Sequence, residues 1–305
     1  MTVQVGILRA TLDPDPGALR RLLARAADAG VDHVATGDHV SFWIGAGRDG
    51  LVDATAMAML HPTLPVHVAV YLLALRHPVL VARQLATFAE LAPGRLVFGV
   101  GIGGEDRHEV AVCGVDPATR GRRMDDCLAV LRRLLAGERV SHHGEFFDLD
   151  DALVLPAPDP PIPIVVGGRS EAAVRRAARL GDGWLGIWVS AARFAKVTAA
   201  IDEEAARAGR GTVEWRHGMQ VWCGLGDSPL QARALLAPTM QAFYQLPFER
   251  FERYSPYGTP EDVAAFLAPY VAAGCRSFNL IPCATDTAVA VDAVAHVKAL
   301  LRSAA

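Results

Sequence analysis

Lysine is nearly missing from this chain. Of 30 basic side chains only Lys196 and Lys298 are lysines, and against 33 acidic residues the formal net charge is −3. That balance excludes the clustered basic excess of a nucleic-acid or anionic-membrane surface. No apolar run reaches the roughly 18 residues that mark a membrane-spanning helix. The opening residues, Met1-Thr-Val-Gln-Val-Gly-Ile-Leu, read as a strand and lack the long apolar core and cleavage site of a secretory signal. Cysteine is scarce too: the odd set Cys113, Cys127, Cys223, Cys275 and Cys283 contains no C-x-x-C pair, so a reduced cytoplasmic compartment is expected. Neither a G-x-S-x-G elbow nor a P-loop is present, which removes two common enzyme classes. An H-x-H pair ending an early strand, the mark of a metal-dependent barrel hydrolase, is also missing. His61, His67 and His77 are scattered, and His142-His143 would point to opposite faces of an extended segment. No metal site is expected.

What is present is ample apolar material: 51% hydrophobic residues in 305, with 28 Gly and 19 Pro. This excludes disorder, collagen and a coiled coil. The length fits two average domains, or one α/β barrel of about 250 residues with insertions. The order of elements decides between them. Strands are predicted at 3–8, 31–36, 66–73, 95–100, 162–166, 183–188, 213–223 and 277–281, from short β-branched runs. Helices are predicted between them at 14–29, 54–60, 78–92, 120–136, 171–180, 192–208, 230–245 and 260–273, with a last one at 287–301. Eight strands alternating with helices, and no linker between halves, favour one (β/α)8 TIM barrel over residues 1–305. Three stretches break the alternation: a polar hairpin near 137–155, a glycine-rich loop at 42–53 and a long aromatic connection near 244–258. Long connections in compact domains serve as lids or binding loops.

In a barrel the reactive residues stand at the C-terminal strand ends. Asp38-His39 ends the second strand, and histidine is the side chain best suited to proton exchange near neutral pH. An aspartate capping the loop and a histidine satisfied by backbone groups is the structural alternative. Trp43, four residues on, could serve the site or pack the barrel rim. Gly99-Val-Gly-Ile-Gly-Gly104 matches G-x-G-x-x-G, but polar residues rather than a helix follow it, so it reads as a glycine turn whose N–H groups approach an anion. Gly167-Gly168-Arg169-Ser170 is a second such turn, placed before a helix N-terminus. Two turns of this kind point to a phosphate-bearing ligand. Glu105, directly after the first turn, could be a general acid or a solvated loop carboxylate.

The residues now carry a resemblance. Leu75-Arg-His-Pro-Val-Leu-Val-Ala-Arg-Gln-Leu-Ala-Thr-Phe-Ala-Glu-Leu-Ala-Pro-Gly-Arg-Leu-Val-Phe-Gly-Val-Gly-Ile-Gly103 is similar to the signature segment of the luciferase-like flavin and deazaflavin oxidoreductases. Ala29-Gly-Val-Asp-His-Val34 leading to Asp38-His39, Arg120-Gly-Arg-Arg-Met-Asp125, His143-Gly-Glu-Phe-Phe-Asp148, Pro161-Ile-Pro-Ile-Val-Val-Gly-Gly168, Gly181-Asp-Gly-Trp184 and Gly258-Thr-Pro-Glu261 follow in family order over nearly the whole chain. The resemblance implies a barrel, commonly a homodimer, that binds coenzyme F420 or FMN at its C-terminal strand ends. Asp38-His39 and the short form of the chain resemble the F420-dependent branch more closely. There the residue matching His39 exchanges a proton while hydride moves between substrate and deazaflavin, and residues matching Trp43 and, less directly, Glu105 serve the same site. The resemblance also implies a non-prolyl cis peptide at Ala69-Val70 in a bulge behind the ring. It further implies cofactor contacts from Gly101, Ile102, Gly103 and Gly104 and from Gly167, Gly168, Arg169 and Ser170.

The departures bear on substrate. Sugar-phosphate members hold their substrate phosphate with lysines and an arginine, and this chain has two lysines, both on predicted helices. An uncharged alcohol, carbonyl or enone-type substrate is therefore expected, in a pocket made apolar by Tyr71, Leu72, Leu73 and the aromatic connection. Ala35-Thr36-Gly37 replaces a common family aromatic and would widen that pocket. Two other functions remain open at this point: an FMN-dependent monooxygenase of the same fold, and a barrel that binds flavin or F420 without turnover.

Overall fold

A computed structural model describes residues 2–9, 15–104 and 106–303. In chain order the elements are β1 (Gln4–Leu8), α1 (Pro16–Asp28), β2 (Val34–Thr36), α2 (Gly50–Leu60), β3 (Val66–Leu72), α3 (Pro78–Leu91), β4 (Leu96–Gly101), α4 (Arg107–Val112) and α5 (Arg120–Leu135). They continue with β5 (Val140–His143), β6 (Asp148–Ala152), β7 (Ile164–Gly167), α6 (Glu171–Leu180), β8 (Gly183–Ile187), α7 (Ala191–Arg207), β9 (Gly218–Leu225) and α8 (Pro229–Tyr244). The last are β10 (Tyr257–Gly258), α9 (Pro260–Ala272), β11 (Ser277–Cys283) and α10 (Thr287–Ser303).

Local chemistry sets these boundaries. Asp15, Ser170, Ser190 and Ser228 each accept a backbone N–H of the helix they open, and Thr259 and Asp262 close a reciprocal capping box on α9. Proline stands in the first turn of α3, α8 and α9, where its missing N–H costs no helix bond.

Around the barrel the strands run β9-β11-β1-β2-β3-β4-β7-β8, every pairing parallel, and β8 pairs with β9 to close the ring. This is the (β/α)8 barrel that the alternation implied. Side chains alternate along each strand: Phe278 and Leu280 of β11 face the helices, while Ile281 joins the inner cluster with Leu8, Ala69, Val165, Leu185 and Trp222. The expected hairpin is present as the antiparallel pair β5–β6.

Three local readings change. α2 begins at Gly50 because Asp49 caps it, so the loop after β2 is shorter than its glycines suggested. α4 lies in the polar stretch read as loop. α8, expected as an outer barrel helix, packs instead on β9, β10 and β11, and its end reaches over the barrel mouth; α9 takes the outer position between α7 and α10. The expected start of the first helix at residue 14 lies outside the described residues. Among the described residues no helix is long and apolar enough to cross a membrane.

Candidate active site

A cavity of about 490 Å3 opens at the C-terminal ends of the strands. Its walls include Asp38 and His39 after β2, Ala69 and Val70 in β3, residues 101–104 after β4 and residues 167–170 after β7. The two glycine turns and the Asp-His pair, separate in sequence, therefore share one space.

The Ala69–Val70 peptide is cis, at the position the resemblance implied, and the β3–β4 register shifts between Val68 and Tyr71. The bulge turns the Val70 side chain toward the neighbouring strands. A Cβ at Gly101 would fall 2.5 Å from Val70 Cγ2, and one at Gly167 would fall 3.0 Å from Val70 Cγ1. These glycines thus make room for Val70, a requirement separate from any anion. Gly104 has nothing within 4 Å of the position a Cβ would take, so its backbone borders open space. Ser170 caps α6, and Arg169 stacks over Trp188 with its guanidinium carbon 5.3 Å from the ring centroid.

His39 is one-fifth exposed and stacked on Phe42, with ring centroids 4.0 Å apart. Its Nδ1 lies 3.1 Å from Glu109 Oε2. Glu109 is buried, and its other oxygen accepts the backbone N–H groups of Val40 at 2.6 Å and Ser41 at 3.2 Å. Burial pushes this carboxyl up, but the His39 ring and the two N–H donors outweigh it and hold Glu109 below the usual carboxylate range. A charged Glu109 accepts the Nδ1 proton, which leaves Nε2 as the nitrogen for proton exchange. The sequence reading missed Glu109. Its signal is Asp106-x-x-Glu109, an N-cap pattern: Asp106 accepts the N–H groups of His108 and Glu109 and so starts α4. Glu105, the carboxylate singled out instead, lies outside the described residues.

Asp38 has a different place from its neighbour. Its fully buried carboxylate accepts the N–H groups of Gly50 at 2.9 Å and Leu72 at 2.8 Å, and Arg76 donates to both oxygens. Burial pushes its pKa up against the pull of Arg76 and those backbone donors. The group ties the start of α2 to the end of β3, next to His39 in the cavity wall. Trp43 stands in the same loop, and its indole N–H donates to the Phe243 carbonyl at 2.9 Å. It pins the loop after β2 to the end of α8. The apolar lining agrees with expectation in part. Leu72 and Tyr244 line the cavity as expected, Tyr71 and Leu73 are buried behind the wall, and Trp188, Trp222 and Phe243 join the lining.

The histidines that invited a metal reading are spread through the fold. His61 and His77 each accept a nearby backbone N–H, His142 and His143 pair separately with Asp126 and Asp148, and His67 stacks on His33 in the barrel floor.

A closed parallel barrel with an oriented histidine and two glycine turns around one cleft has the layout of a barrel with a small-molecule site at its C-terminal strand ends. The chain belongs to the luciferase-like monooxygenase family, whose model matches residues 2–265. An uncharacterized protein of Mycobacterium tuberculosis is 43% identical over 113 residues, 37% of this chain and 38% of that one. An F420-dependent glucose-6-phosphate dehydrogenase of Kineococcus radiotolerans is 33% identical over 176 residues, 56% of this chain and 52% of that one. The chain thus spans about half or less of the length of the curated relatives it matches. Among solved structures, an F420-dependent secondary alcohol dehydrogenase superposes with a TM-score of 0.84 at 21% identity, covering 99% of this chain and 100% of that one, which is a likeness of fold.

Proposed function

We propose that this protein is an F420-dependent oxidoreductase that moves hydride between the deazaflavin and a small organic substrate at an oxygen-bearing carbon. The observation that carries the reading is His39, held at Nδ1 by buried Glu109, in the cavity that the Ala69–Val70 bulge also lines. The F420-dependent dehydrogenase among the relatives supports the choice of cofactor.

The residues present fit that cofactor. Gly104 borders open space, Arg120 Nε donates to the Gly103 carbonyl at 3.4 Å, and Arg169 stands after the neighbouring strand β7, before the N-terminus of α6. Backbone N–H groups and two guanidiniums suit a phosphodiester. In the same wall, among the described residues, the buried Trp188 Nε1 and Gln220 Oε1 have no hydrogen-bond partner, and a polar ring system would supply them. Ala69, Val70, Ile102 and the glycines of both turns would hold the ring and its phosphate.

When bound, F420 supplies a carbon that accepts or returns hydride. His39 Nε2 takes the substrate hydroxyl proton as the alcohol is oxidised and gives it back in the reverse direction. Glu109 fixes the ring tautomer and balances the charge that appears on the imidazole, as an orienting carboxylate does in a catalytic triad. Phe42 stacks on the ring and Phe243 meets it edge-on, which helps to hold its orientation.

Titrating the cofactor-free protein with oxidised F420 and with FMN tests the reading. F420 is expected to bind; FMN binding with no F420 binding refutes it. A His39→Ala variant that keeps F420 affinity but loses turnover separates an enzyme from a non-catalytic binding protein.

The same reading places the enzyme in the reducing cytoplasm, in keeping with five free cysteines, four of them buried. It acts as a homodimer through the outer faces of α2 and α3. Val52 and Met59 on one helix and Leu80 and Leu91 on the other are each at least half exposed and lie at spacings that share a face. Light scattering after size exclusion gives the mass that decides this.

A further inference from the structure

We infer that the floor of the barrel holds a second binding site, for a small carboxylate with an apolar body, held by Arg216. The inference does not rest on the proposed reaction. A cavity of about 320 Å3 opens at the N-terminal strand ends, where a barrel is ordinarily filled by layers of side chains. That volume is within the range of small-molecule pockets. His67, Val97 and Val165 line it from the second positions of β3, β4 and β7, and Ser277 from the first position of β11. Leu185 borders both this space and the cleft at the other end of the barrel.

Charge at the mouth selects an anion. Arg216, Arg276 and Arg302 line it against one acid, Glu214. Two of these arginines are engaged: Arg276 donates to the Val271 and Cys275 carbonyls, and Arg302 to the Val3 carbonyl and to Asp32. The exposed Arg216 guanidinium makes no hydrogen bond or ion pair among the described residues. Its backbone is nevertheless fixed. The Arg216 N–H donates to the Asp182 carbonyl at 2.9 Å, and a Cβ at Gly183 would collide with the Arg216 carbonyl oxygen, so that glycine lets the segment close on β8. By strand alternation Arg216 shares the inner face of β9 with Gly218, which lines this cavity, and Gln220, which lines the cleft. Three strands separate β9 from β3 in either direction around the ring, yet the Arg216 charge adds to burial and the His33 ring in lowering the pKa of His67. The guanidinium therefore reaches over the mouth toward the opposite wall.

The walls below it decide what kind of anion. Val97, Val165 and Leu185 belong to the inner apolar cluster and would desolvate an inorganic ion without compensation, whereas they suit a hydrocarbon body. The facing wall is polar and rigid: His33 stacks on His67, and His33 Nε2 lies 2.6 Å from Asn279 Oδ1. With its oxygen taken, buried Asn279 offers its NH2 donors to the cavity that it lines. One unpaired guanidinium balances one negative charge, and its planar fork matches a carboxylate. A ligand thus enters body first, with its carboxylate left at Arg216.

Calorimetric titration of the cofactor-free protein with benzoate and with its neutral isostere benzamide tests this. Benzoate is expected to bind at least about tenfold tighter than benzamide, and Arg216→Gln is expected to weaken benzoate about tenfold. Arg169→Gln, in the cleft at the other end of the barrel, is expected to leave benzoate affinity unchanged. Equal affinities for the two probes, or no benzoate binding, overturn the inference without needing any variant, because the floor would then hold water alone. A benzoate affinity that Arg216→Gln leaves in place also overturns it, and a loss in Arg169→Gln instead would put the anion in the cleft.

Discussion

Acidification should weaken this barrel markedly, because three histidines are buried in its floor. His33 and His67 stack with centroids 3.7 Å apart, His33 Nε2 lies 2.6 Å from Asn279 Oδ1, and His217 Nδ1 accepts the Trp184 N–H at 3.1 Å. Burial pulls His33 down from 6.5 to about 4, against the Asn279 bond, and burial alone takes His217 to about 4; His67 is lowered in the same direction. The unfolded chain protonates these rings below about pH 6.5 and the folded one does not, so stability is full above that pH and falls as pH drops toward 4. At about 1.4 kcal/mol per pH unit, each of His33 and His217 costs about 2 kcal/mol by pH 5, and the two together about 4 kcal/mol.

That is a large part of the 5–15 kcal/mol typical of a folded domain. Urea unfolding of the cofactor-free protein, followed by tryptophan fluorescence from about pH 7.5 to about pH 5, measures it. His217→Gln, which cannot titrate, should flatten the curve by about 2 kcal/mol over that interval, whatever its cost at neutral pH. A stability that is level from pH 7.5 to 5, or a slope that His33→Gln and His217→Gln both leave unchanged, would refute the reasoning.

The active site gives three further expectations. Glu109→Gln keeps the shape of the His39 partner but not its charge, so kcat should drop about 10–100-fold while F420 affinity, read by fluorescence quenching, holds. Trp43→Phe removes the bond to the Phe243 carbonyl, worth about 1 kcal/mol, and should raise KM about fivefold with kcat retained. Gly101→Ala drives a methyl into Val70, which should cost about 1–3 kcal/mol in urea unfolding and weaken F420 more than tenfold in the same titration.

The barrel was legible because its punctuation is local. Pro78 opening α3, Gly94 at φ +70° after it, and serine caps ahead of α6, α7 and α8 act within a few residues of themselves. The second layer of the site was not. Asp38 meets Arg76 across 38 residues and His39 meets Glu109 across 70, and nothing in either segment's periodicity signals its partner. α8 was placed in the wrong layer for a related reason: Leu236 and Met240 repeat at helical spacing whether the helix covers the outside of the sheet or, as here, joins the inner cluster over the mouth. Trp188, Trp222 and Phe243 entered the cavity wall by the same route, through topology rather than motif.

Glu109 shows why the site is built from two loops rather than one. It rides on α4, which follows the glycine turn after β4, yet its carboxylate holds the ring of His39 and the backbone of Val40 and Ser41, all in the loop after β2. Asp38 does the corresponding work from below, tying that loop to α2 and to the end of β3. The loop after β2 is therefore held on one side by α4, through Glu109, and on the other by the end of β3, through Asp38. The atom proposed to exchange the proton is thus set by the same backbone that shapes the cleft, and a loop free to move by itself would give His39 no fixed direction.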